Sequence, residues 1–322
     1  MVRSMNPRVS RRQLLTVAGV AGLARPAFAQ GLPARQIQLV VPFAAGGGTD
    51  IVARYYANAA QRFGVSMLVM PMPGGGGARG SRQVLQSAPD GHTVLFGTMG
   101  SNVLTPMMND VGFQPDSFDP IAIVAATTHV FCVSAESPIR SMADLVSAAR
   151  ERPLSYSSAG VGSVGHVVVE LFSRRAGIEF LHVPYTGSAG ALNAVLGRHV
   201  DMTLPTTGSA MPTIRNGSIR ALAITAEARS TVAPEMPTVR ESGFDLLVAN
   251  WRGILAPKNT PAAVRDALTD LSRRIVSDPE FVQQATQAEG EPPIFQDGAG
   301  FARQIASEVA EYKDLVAHMR RG

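Results

Sequence analysis

The sequence has one cysteine, two lysines and no long apolar run. A lone thiol, Cys132, excludes an intramolecular disulfide, and its setting in "HVFCVSA" suits a buried structural residue. No apolar stretch is long enough to span a bilayer. Lys258 and Lys313 are the only lysines, so there is no polybasic stripe to follow a nucleic-acid backbone. No glycine loop ends in Gly-Lys-Ser/Thr, which excludes a P-loop. There is no G-x-S-x-G elbow. The histidines at 92, 129, 166, 182, 199 and 318 show neither H-E-x-x-H nor metal-ligand spacing. Neither a metal nor a cofactor is expected.

The formal net charge of +4 is concentrated at one end. Residues 1–29 carry Arg3, Arg8, Arg11, Arg12 and Arg25 and no acid, followed by an apolar stretch from Leu14 to Leu23 and then "ARPAFAQ". This order reads as an export signal cleaved between Ala29 and Gln30. "SRRQLL" resembles a twin-arginine motif; a general-secretion signal that happens to carry two arginines is the alternative. Without these five arginines the chain holds 24 Lys and Arg against 25 Asp and Glu. The mature protein is expected outside the cytoplasm, in the periplasm, and close to neutral.

With 322 residues, 45% of them hydrophobic, the chain can build sizeable cores. "IQLVVPF" predicts a buried strand stopped by Pro42, and "TDIVARYYANAAQRF" a helix with Thr49 or Asp50 capping its first amides. "VSMLVMP" is the next strand, "GGGGARGSRQVLQSA" a glycine loop entering a helix, and "PDGHTVLFGT" a turn and strand. A second round begins near Thr128: "HVFCVSA", "LSYSS", "FLHVPY", "VDMTLP" and "IRALAIT" read as strands, separated by helices such as "GHVVVELFSRRAG". Val264, Leu268, Leu271 and Ile275 repeat at helical spacing, and "FARQIASEVAEYKDLVAHM" closes the chain as an amphipathic helix. The alternation predicts an α/β protein with parallel sheets covered by helices. No flexible linker divides the two rounds, as expected of a chain that passes between lobes more than once.

Three strand-to-helix loops are rich in glycine or hydroxyl residues: "AAGGGTD" (44–50), "PGGGGARGS" (73–81) and "SSAGVGSVGH" (157–166). Glycines let backbone N–H groups approach a ligand, and a helix N-terminus favours anions. Gly160-x-Gly162-x-x-Gly165 matches a dinucleotide fingerprint, with Glu179 at the distance of its acidic partner. An exported dinucleotide-dependent oxidoreductase is therefore one reading. His166 either faces a ligand or is a first-turn histidine bonded to a carbonyl. Asp50 either meets a ligand or caps its helix and pairs with Arg54 at i,i+4.

The ordered set "VPFAAGGGTDIVAR", "PGGGGARG", "APDGHTVLFG", "YSSAGVGSVGHVVVELF", "HVPYTGSAGALNAVLGRHVDM", "ALAITAEARSTVAPEMPTVRESGFD" and "WRGILAPKNTP" resembles the solute-binding receptors of tripartite tricarboxylate transporters, the TctC or Bug type. The resemblance covers nearly all of the mature chain. It implies a type II periplasmic-binding fold, two α/β lobes with a ligand cleft between them. It implies a first lobe from 30–127 that resumes at 249–322 with the C-terminal helices, and a second lobe from 128–248. The function implied is capture of a small mono-, di- or tricarboxylate, aromatic ones included, without catalysis. The partners implied are membrane transporter subunits, and a monomer is expected; a receptor serving a signalling partner is a further alternative. Carried onto this chain, the first-lobe contacts are Phe43, Ala45, Gly47, Thr49 and Asp50, with Ser101 and Asn102. The second-lobe contacts are Ser158, Gly160, Ser163, His166, Tyr185 and Thr186. Tyr185-Thr186-Gly187 stands where the family often has Tyr-Lys-Gly, and "TLPTTGSAMP" departs from the family's turn around Thr206 and Thr207.

Overall fold

Residues 37–41 are apolar except for Gln38 and form strand β1 (Ile37–Val41), which Pro42 ends. Helix α1 (Gly48–Arg62) follows and lays Val52, Ala53, Tyr56, Ala57 and Ala60 on the sheet. Then come β2 (Met67–Pro71), a short 3-10 turn at Gly75–Gly77, α2 (Ala78–Leu85), β3 (Thr93–Thr98), a π-type turn at Gly100–Leu104, α3 (Thr105–Met108) and β4 (Phe118–Thr128). The computed structural model describes Leu32, residues 35–185 and residues 187–319; the expected leader and Thr186 lie outside these.

From β5 (Val130–Ser134) the chain builds a second unit. It continues through α4 (Met142–Glu151), β6 (Leu154–Ser158), α5 (Val164–Ala176), β7 (Phe180–Pro184), α6 (Ser188–Leu196), β8 (Met202–Thr203), α7 (Thr207–Arg215) and β9 (Ile219–Ile224). It then returns to the first unit with β10 (Ala249–Pro257), α8 (Ala262–Val276), α9 (Pro279–Glu289), β11 (Gln296–Asp297) and α10 (Gly298–Met319).

The first sheet has the order β11-β4-β10-β3-β1-β2 and the second β7-β6-β8-β5-β9. Both are mixed, which corrects the expectation of parallel sheets. β1 runs parallel to β2 and β3, but β10 lies antiparallel between β3 and β4. In the second sheet β6 is parallel to β7 and β8, while β5 is antiparallel to β8 and β9. The cause is the double crossing: a strand that brings the chain back from the other unit enters against the direction of the strands that left it.

Only His129 separates β4 in the first sheet from β5 in the second. One core cluster runs across both units, joining Leu95 and Val103 of the first to Phe131, Tyr156 and Phe172 of the second. The C-terminal helix takes part: Trp251 meets Phe301 edge-on at 4.6 Å and donates its indole N–H to Glu308 Oε2 at 3.0 Å. At roughly 1.5–3 kcal/mol for each large apolar side chain removed from water, this shared core favours close approach of the two units.

Candidate functional site

Helix α1 opens out of the first glycine loop. The first helical bond runs from Ile51 N–H to the Gly47 carbonyl at 3.0 Å. The amides of Gly48, Thr49 and Asp50 therefore have no acceptor within the helix and carry its partial positive charge. Residues 44–48 are exposed. Gly46 has φ +79°, a conformation that favours glycine. The capping differs from expectation: Gly47 is the N-cap residue and no side chain caps the helix. Asp50 instead reaches back, its Oδ2 accepting from Gly46 N–H at 2.9 Å, while Arg54 donates to both carboxylate oxygens at 2.9 and 3.1 Å. Asp50 is 1% exposed and thereby braces the loop. Phe43 is half-buried on the core below, Ala45 and Gly47 are exposed, and Thr49 is buried in the first turn.

The second glycine run serves the chain itself. A methyl group on Gly77 would lie 2.5 Å from Ser101 Cβ and 3.3 Å from Pro42 Cβ. One on Gly80 would lie 2.9 Å from Pro42 Cα. Thr105 Oγ1 donates to the Gly76 carbonyl at 2.9 Å. Ser101 and Asn102, carried over as ligand contacts, are fully buried here. Ser101 Oγ accepts from Thr98 N–H at 3.1 Å and lies 2.7 Å from Asn102 Oδ1, and Asn102 Nδ2 faces Ser81 Oγ at 3.4 Å. Both shape the turn after β3.

The third loop is also knit to its own side chains. Gly160 N–H donates to Ser158 Oγ at 3.2 Å, Gly162 N–H to His166 Nδ1 at 3.0 Å, and a methyl on Gly165 would lie 2.9 Å from the Leu204 carbonyl. These glycines fit tight turns, and two amides that a pyrophosphate would need are occupied. Ser163 caps α5 by accepting from His166 N–H, which leaves its own hydroxyl proton to give. His166 accepts a backbone N–H through Nδ1 rather than donating to a carbonyl, so the neutral ring carries its proton on Nε2. Burial, then neighbouring His182, pushes His166 down to about 4. The two imidazoles stack at 3.9 Å, His182 stacks on Tyr156 at 4.8 Å, and His182 Nε2 lies 2.6 Å from Ser158 Oγ. No sequence motif marks His182; its place depends on the register that pairs it with Tyr156 across β6 and β7. Tyr185 is half-buried, and its N–H donates to the Ser158 carbonyl at 3.0 Å.

Contacts link the loops of the two units. A methyl on Gly100 would lie 3.3 Å from Val164 Cγ2, and one on Gly162 would lie 3.3 Å from Met108 Sδ. The start of α5 thus abuts the turn after β3, which abuts the second glycine run, which abuts Pro42 before the first loop. The two units thus touch where the start of α5 meets the turn after β3.

The profile of the Tripartite tricarboxylate transporter family receptor matches residues 52–320. A protein from the tcbD-tcbE intergenic region of Pseudomonas sp. (strain P51) is 33% identical, over 97% of this chain and 95% of its own. Two solved structures from Rhodopseudomonas palustris are also similar. One, solved with adipate, has 30% identity and a TM-score of 0.79, covering 89% of this chain and 98% of its own. The other, MatC with bound malate, has 28% identity and a TM-score of 0.77, covering 88% of this chain and 100% of its own. The chain belongs to the tripartite tricarboxylate transporter receptor family, and its fold is that of the family's periplasmic solute-binding proteins.

Proposed function

We propose that this member of a receptor family captures a small mono-, di- or tricarboxylate, aromatic ones included, and delivers it to a tripartite tricarboxylate-type transporter in the membrane. One lobe is residues 30–127 with 249–322, the other is 128–248, and the ligand lies in the cleft between them. The carrying observation is the opening turn of α1, whose Gly48, Thr49 and Asp50 amides lack helical acceptors beside exposed residues 44–48. A carboxylate answers such donors directly. Across the junction, Ser163 and His166 offer a hydroxyl and an imidazole N–H. The malate and adipate held by the two related structures are ligands of this class.

The chemistry needs no cation. Charge-assisted hydrogen bonds contribute roughly 1.5–3 kcal/mol each, so three or four, less the cost of ordering, fit micromolar binding near about −8 kcal/mol. Thermal melts with malate, adipate and an aromatic acid test the reading. A bound acid raises the transition temperature because it binds the folded state, and its dimethyl or methyl ester does not. Equal shifts from acid and ester would reject carboxylate recognition.

A further inference from the structure

Arg252 stands in the middle of β10 and is 4% exposed. Its Nε donates to Glu289 Oε1 at 3.0 Å and its Nη2 to Oε2 at 3.4 Å. Its third nitrogen, Nη1, is buried and has no hydrogen-bond partner. His129 Nδ1 and Asn250 Oδ1 are in the same condition, on residues 4% and 8% exposed. Buried polar atoms are nearly always paired, so three orphans in one neighbourhood call for a common partner.

Register brings them together. Asn250 pairs with Thr127 and Arg252 with Ala125, and residues two apart on a strand share a face. His129 follows at the end of β4, and the Arg252 guanidinium is the charge that bears on its imidazole. Thr127 Oγ1, on the same face, donates to the Glu289 carbonyl at 3.2 Å.

That face ends at the cleft. β1, β3 and β4 run in one direction, so the first glycine loop, the turn after β3 and His129 lie at one edge of the sheet, where ligands gather in α/β folds. Arg252 itself pairs with Thr98, the last residue of β3. Helix α9 runs antiparallel to α1: Arg62 pairs with Asp278, Tyr56 meets Phe281, and Glu289 lies a further eight residues on, toward the start of α1. The Arg252–Glu289 pair therefore sits toward the end of α1 that carries the open amides.

We infer that Arg252 Nη1, Asn250 Oδ1 and His129 Nδ1 together receive one hydroxyl oxygen at the base of the cleft, so that the ligand is a hydroxycarboxylate. This rests on the carboxylate reading above and names the ligand class within it. A second carboxylate would lie beside the Glu289 carboxylate that Arg252 already holds and would meet the unpaired Asn250 carbonyl oxygen. A hydroxyl fits: it accepts from Arg252 Nη1–H and donates to Asn250 Oδ1, while the neutral His129 ring meets either lone pair or proton. Since all three residues are sealed, entry requires the units to part.

A water molecule has the same hydroxyl chemistry, and the test separates the two. Calorimetry compares three acid pairs that differ by one hydroxyl: malate with succinate, lactate with propionate, mandelate with phenylacetate. A crystal of the protein soaked in the tightest binder locates its hydroxyl. In at least one pair the hydroxy acid should bind tenfold or more tightly, with its hydroxyl bonded to the three atoms. Asn250→Leu, checked for an intact melting transition, should bring that ratio near one. If the members of every binding pair bind equally, or the soaked crystal shows water at the three atoms and the ligand's hydroxyl elsewhere, the hydroxyl inference fails and the carboxylate reading stands. If none of the six acids binds, the hydroxyl inference fails, and the carboxylate reading fails with it only if adipate also leaves the melting transition unmoved.

Discussion

His129 and Thr225 hold each other by two hydrogen bonds across the connections between the units. His129 N–H donates to Thr225 Oγ1 at 3.0 Å, and Thr225 N–H donates to the His129 carbonyl at 2.8 Å. The same hydroxyl donates to the Val248 carbonyl at 2.8 Å. The outgoing and returning crossovers are thereby tied into one strip.

Thr225→Val keeps the volume and removes the hydroxyl, leaving His129 N–H and the Val248 carbonyl buried without this partner. Each unsatisfied group costs about 1–3 kcal/mol. Urea unfolding should show a stability loss of about 2–6 kcal/mol for the two groups, with an unchanged slope. An unaltered midpoint would mean that the strip contributes little.

Gly208→Ala probes the other contact beside the crossovers. A methyl at Gly208 would overlap the Ala288 carbonyl, where the start of α7 meets the end of α9. The two helices belong to different units, so the clash should push the units apart at that side. Small-angle scattering should report a larger radius of gyration than wild type in the absence of ligand. An identical radius with normal stability would show that local shifts absorb the methyl.

Glu308 gives a pH dependence of defined sign. Burial, outweighing its bonds from Gln304 and Trp251, pushes its carboxyl up to about 7 from 4.5. The folded state therefore favours the protonated form. Its contribution is full below about 4.5 and is lost as pH rises through about 7. Glu308→Gln keeps an acceptor for Trp251 without the charge. Relative to wild type it should gain stability between about pH 5 and about pH 8, of the order of 3 kcal/mol. Parallel melting curves of the two proteins across that range would contradict this origin.

Much of this architecture is legible in the residues, and the gaps have physical reasons. β1 and β2 stand out as short apolar runs that stop at Pro42 and Pro71, and the strands of the second unit as short runs set between helical patterns. β4 does not: Phe118–Thr128 begins with Asp119 and Pro120 and is buried almost throughout, so it lacks the alternation that marks a strand. β10 carries Arg252 at its centre, a charge that only makes sense once Glu289, 37 residues away, is seen beside it. Strand direction depends on the double crossing, which no local pattern encodes. At the site, the first loop could be read from its glycines and the following helix. Ser101 and Asn102 are expected as ligand contacts; in the structure their polar groups bond Thr98, Ser81 and each other, a pairing that no local pattern announces.

The central claim is that one carboxylate bridges both units, and calorimetry of a single acid on two variants tests it most directly. The acid is whichever of malate and adipate gives the larger thermal shift with wild type. Gly47→Val places a branched side chain beside the open amides of α1, at an exposed position with φ −74° that valine can adopt. Ser163→Ala removes the hydroxyl opposite and, because Ser163 caps α5, also lowers stability by about 0.5–2 kcal/mol. The account predicts that each variant, folded at the temperature of measurement, weakens binding about tenfold or more, the value of one charge-assisted hydrogen bond. Full affinity in one variant and loss in the other would place the ligand on a single unit and contradict the bridging cleft.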